Sequence, residues 1–89
     1  MTPTPQTILL GDDDPAFCQV MELLLAAAGF DVLTAPDGHS LVRLAQEHLP
    51  DLVLIDLMMP QLDGYEALRQ LRTDTRTAHL PLIVLSARG

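Results

Sequence analysis

The stretch Leu52-Val53-Leu54-Ile55-Asp56, followed by Leu57-Met58-Met59-Pro60-Gln61-Leu62-Asp63-Gly64, decides the reading of this chain. An unbroken apolar run of this length is a strand covered on both faces, as in a parallel sheet. It closes on a carboxylate, at the end where strands of open α/β sheets meet their ligand crevice. Pro60 and Asp63-Gly64 then mark a turn. Further out, Thr7-Ile8-Leu9-Leu10 is a second apolar run, closed by Asp12-Asp13-Asp14. If the two strands lie side by side, three carboxylates converge on one crevice. Such a site suits a hard divalent cation, which can bring a phosphoryl group to Asp56.

The rest of the chain is punctuated in the same rhythm. Strand one is expected over Thr7 to Gly11. Asp14 before Pro15 is a helix start, a carboxylate cap followed by proline at the first helical position. Phe17, Val20, Met21, Leu24 and Ala28 recur at helical spacing, and Gly29 supplies the stop. A short strand is expected from Phe30 to Thr34. Asp37-Gly38 opens a second helix in which Leu41, Leu44, Ala45 and His48 share a face, and Pro50 ends it. Asp63 with Glu66 reads as a capping box for a third helix carrying Leu68 and Leu71. Arg69 and Arg72 fall in its last turns, where cations suit the helix dipole. A fourth strand is expected from Leu80 to Ser86. This β-α-β-α-β-α-β order with short connections predicts a parallel α/β sheet with right-handed crossovers. Residues 1–6, rich in Thr and Pro, read as a loose leader.

With 89 residues the chain makes one domain at most, and 48% apolar content excludes a disordered polymer. No apolar run is long enough to span a bilayer, and no signal peptide is visible. Cys18 has no second cysteine to pair with, which fits a reducing, cytoplasmic setting. A net charge of −7 argues against direct contact with nucleic acid. The five basic residues are all arginine.

In these motifs the chain resembles the receiver domain of bacterial two-component response regulators, a flavodoxin-like doubly wound parallel fold. The resemblance runs from Ile8 to Arg88. It rests on Asp12-Asp13 after strand one, Asp56 after strand three, Met59-Pro60 and Asp63-Gly64 in the next loop, and Ser86-Ala87 after strand four. It implies strand order 2-1-3-4 for the elements present, with Asp56 as phospho-acceptor. A histidine kinase or phosphotransfer protein would be the donor. It further implies Mg²⁺ held by Asp12, Asp13, Asp56 and the backbone carbonyl of Met58, and a Ser86 hydroxyl donated to a phosphoryl oxygen. Asp14 is better explained as a helix cap. Cys18 reads as a packed side chain, Met58 and Met59 as filling the loop under the site, and the scattered His39, His48 and His79 as structural.

Gly11 stands where the family has a bulky apolar residue, and is expected to loosen the end of strand one slightly. The family continues with a helix, a strand ending in a lysine, and a last helix, whereas this sequence ends at Gly89 and contains no lysine. The reading is therefore of a partial receiver domain in which phosphoryl binding and switching are weakened. Strand four is expected to be an open edge through which copies associate. Two other functions compete. One is a haloacid-dehalogenase-type phosphatase using Asp12-x-Asp14 with Ser86, and the other is a receiver-like interaction fragment that is not phosphorylated.

Overall fold

The computed structural model describes residues 4–59 and 64–86, with residue 86 described by its backbone alone. Four parallel strands, β1 (Thr7–Gly11), β2 (Asp31–Ala35), β3 (Leu52–Asp56) and β4 (Leu82–Ser86), form one sheet in the order β2-β1-β3-β4. Three helices connect them: α1 (Pro15–Ala27), α2 (Gly38–His48) and α3 (Gly64–Thr73). This is the doubly wound fold and the strand order that the sequence implies.

The two central strands explain why the sheet is covered on both sides. On one face Leu9, Val53 and Ile55 pack with Leu41, Val42 and Ala45 of α2 and Ala67 and Leu71 of α3. On the other, Ile8, Leu10 and Leu54 meet Cys18, Met21 and Leu25 of α1. Alternation along a strand sends neighbouring residues to opposite layers, so an all-apolar strand is what two layers require. Full burial of one such side chain contributes roughly 1.5–3 kcal/mol.

α1 differs from expectation in its phase. Of Phe17, Val20, Met21, Leu24 and Ala28, which recur at helical spacing, only Met21 turns toward the sheet, together with Cys18 and Leu25, and the other four are exposed. The helix is apolar nearly all round, so periodicity cannot choose a face. The Asp14 carboxylate accepts from the N–H groups of Ala16 and Phe17 at 3.0 and 3.3 Å, as a cap should. Gly29 follows the helix at φ 100°, a left-handed conformation suited to glycine.

α2 starts as expected, with the Asp37 carboxylate accepting from Ser40 N–H at 2.8 Å. Its inner face includes Val42, while His48 is exposed. It ends at His48, two residues before Pro50, and is capped by Leu49 at φ 46°, whose N–H donates to Ala45. β2 and β4 start later than expected. Phe30 packs beneath the sheet instead of joining it, and Leu80 belongs to a turn. That turn is held by Arg72, whose guanidinium donates to the carbonyls of Ala78 and Leu80 at 2.8 Å each. Arg69 pairs instead with Glu66. Asp63 of the expected capping box lies outside the described residues. Among the described residues no helix is long and apolar enough to cross a membrane.

Candidate metal and phosphoryl-acceptor site

β1 and β3 are adjacent and in register, Gly11 opposite Ile55, so the residues that follow each strand emerge at one end of the sheet. There Asp12, Asp13 and Asp56 each bring one carboxylate oxygen, all within 4.8 Å of one another. Asp56 is buried to 9% exposure, Asp12 is half-buried and Asp13 is exposed. The sequence places these three together and the fold brings them together.

Each acid is held differently. Asp56 is the last residue of a buried strand, and its Oδ1 accepts from Met58 N–H at 2.9 Å. Asp12 Oδ1 accepts from Asp14 N–H at 2.9 Å, while the Asp12 N–H is bound to Ala35 of β2. Burial pushes the Asp12 carboxyl above the ordinary range. The Asp14 N–H pulls the other way, and the charges of Asp56, Asp13 and Asp14 add to the rise. None of the ion pairs among the described residues involves these three acids.

That chemistry fits a small hard cation. Oxygens on opposite sides of an octahedral Mg²⁺ shell lie about 4 Å apart. Neighbouring oxygens of that shell lie about 3 Å apart, so carboxylates within 4.8 Å of one another close by about 1–2 Å around the ion or bind it through water. Met58 is half exposed on the loop that follows Asp56, and its N–H is bound to the Asp56 carboxylate.

Ser86 lies on β4 in register with Asp56, across a shift in the ladder between Ile55 and Asp56. Its backbone is thus beside Asp56; the role expected of its hydroxyl falls outside the described residues. So do Pro60, Asp63 and Ala87. Asp14 spends its carboxylate on α1, so the Asp12-x-Asp14 pairing of a dehalogenase-type phosphatase is not assembled. The Cys18 thiol donates to the Asp12 carbonyl at 3.3 Å. Burial raises the thiol, and the charges of Asp12, Asp14, Asp13 and Glu22 raise it further, which disfavours a thiolate nucleophile. His39, His48 and His79 are all exposed, and none joins a metal-ligating group among the described residues.

Two features escaped the sequence. Met59 is buried to 3% while Met58 is not, so the two do not both fill space under the site. At Gly64, a Cβ would lie 2.2 Å from Leu57 Cα, and the Gly64 N–H donates to Leu57 at 3.0 Å. The Asp-Gly pair signalled a turn, but only the fold shows that α3 starts hard against the residue after Asp56.

Comparison with known proteins agrees with this geometry. Residues 8–89 match the family model described as response regulator receiver domain. The DNA-binding dual master transcriptional regulator RpaA of Synechocystis sp. is 44% identical over 82 residues, covering 92% of this chain and 34% of that protein. The chain thus spans about a third of that relative's length. Among solved structures, the N-terminal domain of a response regulator receiver protein from Methanoculleus marisnigri superposes with TM-score 0.89 at 35% identity, covering 96% of this chain and 69% of that one. The receiver domain of the Pseudomonas aeruginosa sensor histidine kinase PA1611, solved with a magnesium ion coordinated in the active site cleft, gives TM-score 0.87 at 36% identity, covering 91% and 66%.

Proposed function

The chain belongs to the response regulator receiver domain family, and on that premise we propose that it is a phospho-accepting signalling domain whose acceptor is Asp56. The donor is a phosphohistidine of a histidine kinase or phosphotransfer protein. An Asp56 carboxylate oxygen attacks phosphorus in line, the P–N bond breaks, the imidazole leaves with a proton, and an acyl phosphate forms. When bound, Mg²⁺ neutralises the phosphoryl oxygens; Asp12, Asp13, Asp56 and the Met58 carbonyl are the residues that would hold it. Met58 N–H engages one Asp56 oxygen and so fixes the carboxylate plane before the donor arrives. Ser86, in register with Asp56, is the candidate donor to a phosphoryl oxygen. The protein is then a substrate and regulator in a signalling pathway of the reducing cytoplasm.

The observation that carries this reading is the meeting of three carboxylates from two adjacent strand ends, all within 4.8 Å and none ion-paired among the described residues. Intact mass after incubation with a small-molecule phosphodonor and Mg²⁺ tests it. One added phosphoryl group, lost in Asp56→Asn and without Mg²⁺, is the expected result. No addition to a protein folded by circular dichroism would favour the interaction fragment that is not phosphorylated.

For partners, we read the 89-residue chain as associating with itself through the β4 side. β4 is the edge of the four-stranded sheet among the described residues, and Ile83, Val84 and Leu85 on it are exposed. An edge strand with bare apolar side chains is a template for pairing.

A further inference from the structure

Gly11 is buried in β1, immediately before Asp12, yet the strand is fully paired there, to Ala35 on one side and Ile55 on the other. The expected loosening of the strand end is not seen. Two side chains from elsewhere occupy the space a side chain would take. A Cβ at Gly11 would meet Leu41 Cδ1 at 2.9 Å, Leu41 Cδ2 at 3.2 Å and Met59 Cε at 3.3 Å. The terminal methyl of Met59 is therefore seated over the bare backbone of Gly11, beside α2.

Met59 comes three residues after Asp56 and directly after Met58. Its burial means that the loop leaving Asp56 sends a side chain back beneath the strand ends. On the other side of Met58, Leu57 is also buried, at 5%, with its backbone pressed by Gly64. Met58 is thus an exposed residue between two buried anchors. A carbonyl held on both sides is a more exact ligand than one on a free loop, because packing around a metal site orients the groups that bind it.

We propose that Gly11 and Met59 act as a positioning pair for the cation site: the missing side chain at Gly11 makes the berth in which Met59 seats, and that seating sets where the loop presents the Met58 carbonyl. The proposal deepens the functional reading above and rests on it. Neither residue touches the cation; both act through the loop.

Mg²⁺ affinity measured by calorimetry, well below each variant's melting temperature, tests it. Gly11→Val fills the berth and Met59→Ala empties it, and each is expected to weaken binding by about tenfold. Because both remove one interaction, the double variant should bind within about a factor of two of the weaker single variant. Val53→Ala, a cavity at the start of β3 in the same core, should lower the melting temperature and leave the affinity alone. If Gly11→Val does not fold, Gly11→Ala carries the test, its Cβ still pressing on Leu41 and Met59. Unchanged affinity in the Gly11 and Met59 variants overturns the proposal, and so do losses that multiply in the double variant or match a loss in Val53→Ala. Parent protein that binds no Mg²⁺, or Asp12→Asn that binds as well as the parent, overturns the underlying site reading instead.

Discussion

Substituting Gly64 by alanine should damage this protein more than its size suggests. The added carbon would sit 2.2 Å from Leu57 Cα, 2.6 Å from Leu57 C and 2.7 Å from the Asp56 carbonyl oxygen. All three are backbone atoms, so no rotamer change relieves the clash. Ordinary carbon contacts begin near 3.5 Å, so the start of α3 must move off β3 by more than an ångström. Overpacking of this kind costs about 1–3 kcal/mol. The same movement breaks the Gly64 N–H bond to Leu57 in a buried place, about 1–2 kcal/mol more. A loss of about 2–5 kcal/mol is a large share of the roughly 5–15 kcal/mol that holds a domain together. For a chain this short it corresponds to a fall in melting temperature of about 10–40 °C. Urea unfolding followed by circular dichroism measures it. Gly29→Ala is the contrast: nothing lies within 4 Å of its Cβ, and only the positive φ resists, at about 1–2 kcal/mol. A Gly64→Ala loss below about 1 kcal/mol, or one no larger than that of Gly29→Ala, would refute the close-approach argument.

Asp12→Asn should raise the melting temperature of the cation-free protein at neutral pH and abolish stabilisation by Mg²⁺. The sign follows from the raised Asp12 carboxyl: the folded state holds this proton more tightly than the unfolded chain, so stability falls as pH rises from the ordinary carboxylate range through the raised value, and the full penalty applies above it. A melting curve against pH in which parent and Asp12→Asn run parallel would contradict this. Asp74 runs the other way. Hydrogen bonds from the Arg76 side chain and N–H hold it down to about 2, with the Arg76 charge and Gln46 adding to them. Its contribution is present above the ordinary carboxylate range and is lost as pH falls toward 2, so Asp74→Asn should flatten the acid limb of the melting curve. Self-association should appear in light scattering at micromolar concentration and weaken in Ile83→Lys, where a charge on the bare edge strand opposes pairing; a compact monomer of the parent would refute it.

The limits of β1 and β3 could be read from the sequence to the residue, because each is an apolar run closed by an acid or by glycine and an acid. The three clustered acids were legible for the same reason: charge at the end of a buried strand has few places to go. The face of α1 was not legible. Phe17, Val20, Leu23 and Leu24 are as apolar as Met21 and Leu25, and which of them meets the sheet shows only in the packing. The apolar Leu80 extends the expected β4 by two residues, yet it is buried in a turn that Arg72 ties down from α3. Spacing from Leu41, Leu44 and Ala45 extends the inner face of α2 to His48 on one flank, whereas the helix is rotated so that Val42 on the opposite flank is buried instead. The glycines were half legible. A turn can be inferred from Asp63-Gly64, but which backbone crowds Gly64, or which side chains move into the room left by Gly11, depends on contacts with residues distant in sequence.

The same features explain how so acidic a crevice stays folded. Three carboxylates within 4.8 Å repel one another, and the upward push on Asp12 records part of that repulsion. They are tolerated because the backbone carrying them is fixed independently of them. β1 and β3 are paired along their length, α1 is capped by Asp14, and the loop after Asp56 is pinned at Leu57 and Met59. Local N–H groups meet part of the charge, that of Met58 on Asp56 and that of Asp14 on Asp12. What remains unneutralised is a cost in the cation-free protein, and a cation that binds the folded state alone converts that cost into affinity. A frame that did not need the acids for its own stability could keep them poised for a cation and a phosphoryl group. The rigidity of the strand ends and the charge at their tips are therefore two halves of one site.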